Sequence, residues 1–237
     1  MRRTALFVTA LAMAPLPAAA DVTARYDLGK DQLSVEVDDN GNYRAEVTGK
    51  AMLLRRAGAE YVVIFQGATP LVVEWQAFLA LAKKMVPATP AEPSAERLDM
   101  LVAQADEESI AGRQGTLWTI RADKPGGNTI QAVMNADRDL APVGAVFARV
   151  LDAGLQTFGG LIPSSNLAER LREVMAKGTP LRLVLMQEVR LRSVSKAEID
   201  AARFALPGPV LDASAFDQAM SAKTPPAPDA PEAAPLP

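Results

Sequence analysis

The chain has 237 residues, with 25 basic and 28 acidic side chains and a formal net charge of −3, and it contains no cysteine and no histidine. A protein without these two residue types has no disulfide, no thiolate or imidazole metal ligand, no thiol nucleophile and no imidazole base. The basic residues are scattered among the acidic ones, so the sequence predicts no nucleic-acid partner.

The first 20 residues have the pattern of a secretory signal peptide. Arg2 and Arg3 provide a basic start, residues 4–17 are mostly apolar, and three alanines precede Asp21. We expect cleavage after Ala20 and a mature protein of 217 residues in the periplasm, exported by either the Sec or the twin-arginine route. Without the two leader arginines, 23 basic residues stand against 28 acidic ones, and the net charge is −5.

N-terminal sequencing of the native protein should therefore begin at Asp21, because the small residues before it are those that signal peptidase accepts. The sample should come from the periplasmic fraction and carry no N-terminal tag. A sequence that begins at Met1, or recovery of the protein from the cytosolic fraction, would contradict export.

The composition changes sharply near the C-terminus. Residues 224–237 include six prolines and almost no large apolar side chain, so they cannot bury enough surface to offset the entropy lost on ordering. We expect a disordered Pro/Ala-rich tail over 221–237 and a single domain over 21–220. The longest apolar stretch of that domain, 141–163, contains two charged residues, so no transmembrane segment is predicted in the mature protein.

Apolar and polar side chains alternate between residues 22 and 65, which is typical of β-strands. An Asn-Gly pair at 40–41 and an Ala-Gly-Ala stretch at 57–59 predict two hairpin turns. Further strands are predicted at 98–104, 115–121, 129–134, 181–186 and 189–194. The chain is therefore expected to form a mainly antiparallel sheet.

Helices are predicted between the strands. Apolar side chains at helical spacing predict the first helix from about Glu74 to Pro87, with residues 71–73 left open between strand and helix. Asp139 is expected to cap the second helix, which carries an apolar stripe and ends near Gly159.

The third helix has the clearest boundaries. Asn166 and Glu169 have the spacing of a capping box, and Lys177 with Gly178 ahead of Pro180 closes the helix. Strands, one helix, more strands, two helices and final strands are the order of an α+β domain.

No motif in the chain has the spacing of a catalytic or metal site. The acidic stretch 38–42 lacks the spacing of a calcium loop, and the acidic run 106–108 is typical of a solvated turn. Ser193, Ser195 and Lys196 do not fit the Ser-x-x-Lys pattern of serine–lysine hydrolases. The sequence therefore predicts no cofactor, no metal and no enzymatic activity; a hydrolase that uses carboxylates alone is the least supported alternative.

Aromatic residues are sparse in this chain and collect on the first two helices and one strand. Together with flexible methionines they are candidates for the lining of an apolar cavity. The alternative is an ordinary close-packed core. The candidate cavity residues are Trp75, Phe78, Met85, Trp118, Met134, Phe147 and Phe158.

Three short motifs accompany this order of elements: Gly-Arg-Gln-Gly-Thr-Leu-Trp at 112–118, Asp-Leu-Ala-Pro at 139–142 and Phe-Ala-Leu-Pro at 204–207. With them the chain resembles the lipoprotein-carrier (LolA-like) superfamily over about 22–210, and most of all its uncharacterised periplasmic branch. The resemblance implies an unclosed antiparallel β-barrel, or half-barrel, with about three helices packed on its concave side around an apolar cavity. In carrier members of the superfamily, that cavity holds acyl chains.

Two functions remain open from the sequence. The first is a soluble periplasmic binding or carrier protein whose ligand is apolar or amphipathic, such as a lipid or an acyl chain. The alternative is a non-enzymatic module of the cell envelope that docks to a protein partner through a sheet edge or the Pro-rich tail.

Overall fold

The computed structural model describes residues 21–85, 99–123, 129–158, 166–185 and 187–222. The predicted signal peptide and nearly all of the predicted tail lie outside these residues, as do the predicted element ends at Leu98, Gly159 and Met186. The described residues form one β-sheet and four α-helices.

Tight turns join most neighbouring strands of the sheet. In the first predicted hairpin turn, the Asp38 carboxylate accepts hydrogen bonds from the backbone N–H groups of Asn40 and Asn42, at 2.9 and 2.8 Å. The strands are β1 (Val22–Leu28), β2 (Asp31–Val37), β3 (Tyr43–Val47), β4 (Ala51–Arg56), β5 (Ala59–Gln66), β6 (Thr69–Glu74), β7 (Met100–Ile110), β8 (Arg113–Ala122), β9 (Thr129–Asn135), β10 (Thr179–Val184), β11 (Glu188–Ser195) and β12 (Val210–Leu211).

The strand order is β12-β6-β5-β4-β3-β2-β1-β11-β10-β9-β8-β7. Neighbouring strands are antiparallel except for β12 and β6, which are parallel. β1 pairs with both β2 and β11 and so joins the N-terminal meander to the later strands. In the part of the chain that the structure describes, the end strands β7 and β12 do not pair with each other. The predicted α+β fold with an unclosed, mostly antiparallel sheet is confirmed.

The helices cover the concave face of this sheet, and the three predicted ones are present. A fourth, which was not predicted, follows β12 and begins after Asp212, whose carboxylate accepts a hydrogen bond from the N–H of Ala215 at 2.8 Å. The helices are α1 (Trp75–Met85), α2 (Ala141–Phe158), α3 (Leu167–Met175) and α4 (Ala213–Ser221), with short 3-10 turns at Arg138–Leu140 and Ala201–Phe204.

Residues 71–73, left open by the sequence, belong to strand β6. All three side chains are buried, Val72 and Val73 completely. A continuous apolar run of this kind is typical of a strand that is covered on both faces. The chain then turns directly into α1 at Trp75, one residue after the predicted start.

Two predicted helix caps make other contacts instead. Asp139 lies in the 3-10 turn before α2, and its carboxylate pairs with Arg113 at 3.0 Å and with Lys196 at 3.1 Å. The side chain of Asn166 makes no cap bond to α3 and accepts a hydrogen bond from the N–H of Met100 at 2.7 Å. That N–H belongs to the edge strand β7, so the long-range contact satisfies a backbone group that has no strand partner on its outer side.

Helix α2 lies very close to β10, and this contact fixes its position over the sheet. A Cβ atom at Gly144 would come within 2.6 Å of the Thr179 hydroxyl oxygen, which donates a hydrogen bond to the carbonyl of Leu140 at 2.7 Å. One turn further along α2, the Phe147 ring packs edge-on against Tyr26 of β1, with ring centroids 5.1 Å apart. These contacts place the middle of α2 above strands β1 and β2.

The face of β4–β6 opposite the helices is also covered. Met52, Leu54, Val63 and Val72 form a buried cluster with Phe204, which belongs to the segment between β11 and β12. The sheet is therefore buried on both faces in this region.

Candidate functional site

An apolar cavity of about 340 Å³ lies between the sheet and the first two helices. Strands β2–β5 form its floor, and α1 and α2 form its roof. Every lining residue has an apolar or aromatic side chain. These residues are Leu33, Val35, Ala45, Val47, Ala51, Met52, Leu53, Val62, Ile64, Trp75, Phe78, Val146, Phe147 and Val150. Met52 borders the cavity although it also belongs to the cluster on the other face of the sheet.

The floor consists of rows of side chains that cross the strands. Alternate residues of a strand lie on the same face, so cross-strand partners on that face form a line. The row farther from the β2–β3 turn, here called the outer row, is Leu33, Val47, Ala51 and Ile64. The next, the middle row, is Val35, Ala45, Leu53 and Val62.

A third row on the same face is polar. Two residues further along each strand, or roughly 7 Å from the middle row, Val37 pairs with Tyr43, Tyr43 with Arg55, and Arg55 with Glu60. We call Tyr43, Arg55 and Glu60 the polar row. On this face of the sheet, the side chains therefore change from apolar in the middle row to mostly polar or charged in the next row.

Aromatic contacts hold the roof of the cavity together. The Trp75 and Phe78 rings of α1 are stacked with centroids 6.2 Å apart, and Phe78 packs edge-on against Phe216 of α4 at 6.3 Å. Such pairs add to the stability that burial of the rings already provides. Helix α4 therefore packs against α1 and helps to hold it in position.

Trp75 also has an unusual polar feature. Its indole Nε1 is buried and has no hydrogen-bond partner among the described residues. The guanidinium carbon of Arg149 lies 5.9 Å from the centroid of the Trp75 ring, within the range of a cation–π contact. The indole ring of the cavity wall therefore also supports a charged side chain beside the cavity.

A second groove of about 520 Å³ adjoins the apolar cavity, and its lining is mixed, with apolar residues such as Val37 and Pro142 beside four polar side chains. Tyr43, Arg55, Glu60 and Arg149 line it, and Val146 lines both spaces. Arg149 is one helical turn after Val146 on α2. An elongated molecule with one apolar and one polar end fits this arrangement.

An ion pair between α2 and β5 organises the groove. Arg149 donates to both carboxylate oxygens of Glu60, with the shortest distance 2.6 Å from Nη2 to Oε2, and the Tyr43 hydroxyl donates to Glu60 at 2.7 Å. Burial alone would raise the pKa of Glu60, but the hydrogen bonds from Arg149 and Tyr43 lower it below its usual value. Burial and the bond to Glu60 raise the pKa of Tyr43 well above its usual range. At neutral pH the groove therefore holds a carboxylate, a neutral phenol and guanidinium groups.

The structure brings three of the predicted cavity residues together. Trp75, Phe78 and Phe147 all line the apolar cavity. Trp118 and Met134 belong to a second apolar cluster, between β7–β9 and α3, and do not line it.

The other two predicted cavity residues lie elsewhere or are incompletely described. Met85 is in the last turn of α1 and is 79% exposed. Phe158 ends α2, and its side chain lies outside the described part of the structure.

Sequence reasoning missed the floor of the cavity and the polar row. The same-face alternation of Val35 and Val37, or of Ala45 and Val47, was visible. Small residues at floor positions, Ala45 and Ala51, were a further signal, because a space opens where no large side chain fills it. The polar row had no local signal, since its members come from three strands and their helical partner is far away in the chain.

No protein-family model matches the chain, and no curated protein matches it. Among solved structures, the chain is similar to the crystal structure of MucB, with 14% identical residues and a TM-score of 0.34. The similarity covers 81% of this chain and 58% of that one, so the chain spans less than two thirds of the MucB chain. Within the described residues, no helix combines the length and apolar character needed to cross a membrane.

Proposed function

We propose that this protein is a non-enzymatic periplasmic binding or carrier protein, and that it holds the apolar part of a lipid or other amphipathic molecule in the cavity between β2–β5 and α1–α2. The observation that carries this proposal is the wholly apolar lining of a space of about 340 Å³. Protein interiors are close-packed and leave few voids larger than a water molecule. A space of this size lies at the lower end of the range of small-molecule sites.

The chemistry of the lining also supports binding over catalysis. Among the described residues, those that line the cavity include no nucleophile, acid or base, and Glu60 in the adjoining groove is engaged by Arg149 and Tyr43. The apolar walls would exclude water from a bound chain and stabilise it by roughly 0.8 kcal/mol per buried CH₂ group. The predicted signal peptide supports a periplasmic location.

The sheet edges weigh against the alternative of docking by strand addition. Edge strand β7 carries Asp106, Glu107 and Glu108, and its register with β8 shifts between Gln104 and Glu107. Charges and bulges on an edge strand disfavour pairing with another chain. The other edge, β12, is only two residues long, and α4 packs against it.

The test is binding of a neutral apolar probe, N-phenyl-1-naphthylamine, to delipidated protein, followed by fluorescence. Ala45→Phe places a ring in the middle row of the floor and should weaken probe binding by at least about tenfold, because it removes space for two or three apolar groups. Stability should change little, since the ring enters existing space.

Ala103→Phe is the matched control. It adds the same ring at an exposed position of β7, outside the cavity, and should leave binding unchanged. Absence of probe binding to the wild type, or equal binding by both variants, would refute the proposed function. Native mass spectrometry of the purified protein should show a co-purified ligand that the Ala45→Phe protein lacks.

A further inference from the structure

We infer that the ligand is a single-chain amphiphile with an acidic head group, such as a carboxylate or a phosphate monoester, whose tail occupies the apolar cavity and whose head group binds Arg55 and Arg149. This inference rests on the proposed function and assigns the polar end of the same site. Four observations support it: the order of the rows, the available cationic groups, the rigidity of Arg149 and the size of the cavity.

The rows give the direction of the ligand. The outer, middle and polar rows follow one another along one face of β3–β5. Ala45 of the middle row is two residues from Tyr43 of the polar row, and Leu53 is two residues from Arg55, so all four lie on the same face. A chain lying along the strands over Ala45 therefore reaches the polar row at one end only. At the other end it meets the apolar outer row, which offers no hydrogen-bond partner.

The net charge of the groove favours binding of an anion. Arg55 is exposed and makes no ion pair or side-chain hydrogen bond with the described residues, and it lines the groove together with Arg149. Arg149 uses Nε and Nη2 to bind Glu60, and its Nη1 has no partner among the described residues. Two guanidinium groups against one carboxylate leave one formal positive charge. Guanidinium groups bind carboxylates and phosphates through paired N–H donors.

Glu60 and Trp75 hold one of these guanidinium groups in place. The bidentate contact with Glu60 fixes the plane of the Arg149 guanidinium, and the Trp75 ring lies 5.9 Å from its central carbon. Tyr43 in turn donates to Glu60 and fixes the carboxylate. A positioned donor loses less freedom on binding than a mobile surface arginine does.

The size of the cavity limits the ligand to one chain. About 340 Å³ is at the small end of ligand sites, a volume that suits one alkyl chain better than two. The two aromatic walls, Trp75 and Phe147, border the chain on the helix side.

Competition of twelve-carbon ligands with N-phenyl-1-naphthylamine tests the inference. Dodecanoate, dodecyl phosphate, dodecanol and dodecyltrimethylammonium share the tail and differ in the head group. At neutral pH and low salt, at least one of the two anionic ligands should bind about tenfold more tightly than dodecanol, and the cationic one more weakly. Comparison of dodecanoate with dodecyl phosphate identifies the type of acid.

Arg55→Gln should remove most of the preference for the anion, and it should weaken dodecanol binding much less than binding of the anion. Arg56→Gln is the matched control, because it changes the net charge equally at the next residue of β4, on the other face of the sheet. Three outcomes would overturn the head-group inference and leave the proposed function standing. They are equal affinity for the anions and dodecanol, tighter binding of the cation, and an equal effect of the two substitutions on anion affinity. Failure of all four ligands to compete would overturn the inference; if the probe itself also failed to bind, the proposed function would fall with it.

Discussion

Replacing Gly178 with alanine should destabilise the protein by more than about 4 kcal/mol, a loss reserved for severe backbone or core defects. Gly178 joins α3 to β10 with φ of +143°, and a Cβ atom there would lie 2.0 Å from the carbonyl oxygen of Asn135. Asn135 cannot move away easily, because it ends β9, is buried, and donates a side-chain hydrogen bond to the carbonyl of Gln114 at 2.7 Å. Urea unfolding followed by circular dichroism measures the loss.

Gly49→Ala separates the clash from the cost of the backbone angle. Gly49 also has a positive φ, +68°, but a Cβ atom there would meet nothing within 4 Å. This variant should lose only about 1–2 kcal/mol, the cost of a left-handed conformation with a side chain. Equal losses in the two variants would show that the Gly178 connection shifts and relieves the contact with Asn135.

Trp118→Ala and Phe147→Ala should separate core packing from ligand binding. Trp118 is half-buried against the cluster under α3, with the Lys177 ammonium 4.8 Å from its ring, so truncation should cost about 3 kcal/mol, the lower end of the roughly 3–5 kcal/mol range for a buried ring, and leave probe binding unchanged. Phe147 lines the cavity, and part of its ring already faces empty space. Its truncation should cost less than that range but weaken probe binding about tenfold, because the ligand loses a flat apolar wall.

Phe147→Leu is the conservative companion, which keeps an apolar wall and should bind the probe between wild type and Phe147→Ala. Stability from urea unfolding and affinity from probe titration should be measured on the same samples. If Trp118→Ala abolished binding while Phe147→Ala had no effect on it, the ligand site would lie in the cluster under α3.

Local signals predicted most of the fold. Alternation and the Asn-Gly turn defined β2 and β3 because a hairpin depends on residues that are close in sequence. β12 was not predicted, since two residues carry no periodicity and their parallel pairing with β6 joins distant parts of the chain. Asn166 occupies the predicted N-cap position of α3, but its side chain bonds to Met100, and Asp139 pairs with Arg113 and Lys196 instead of capping α2. Distant partners decide both contacts.

The site was harder to predict than the fold. Helical spacing correctly selected Trp75 and Phe147 as inward-facing, but it could not tell which of two apolar clusters Trp118 would join. Met85 fits the same helical spacing, yet the last turn of α1 leaves it in solvent. The contact of Arg149 with Glu60 is visible only once α2 has been placed over β5.

The pairing of β1 with β11 has a consequence for the order of folding. Thr23 pairs with Ser195, so β1, the first of the described strands in chain order, acquires its second neighbour only after synthesis has reached β11. The hairpins from β1 to β6 involve short loops, whereas closure onto β11 must overcome a large loss of chain entropy. Until then β1 has an unpaired edge, which is a template for association with other chains. Completion of the last strands is therefore the step that closes this edge and protects the chain from aggregation.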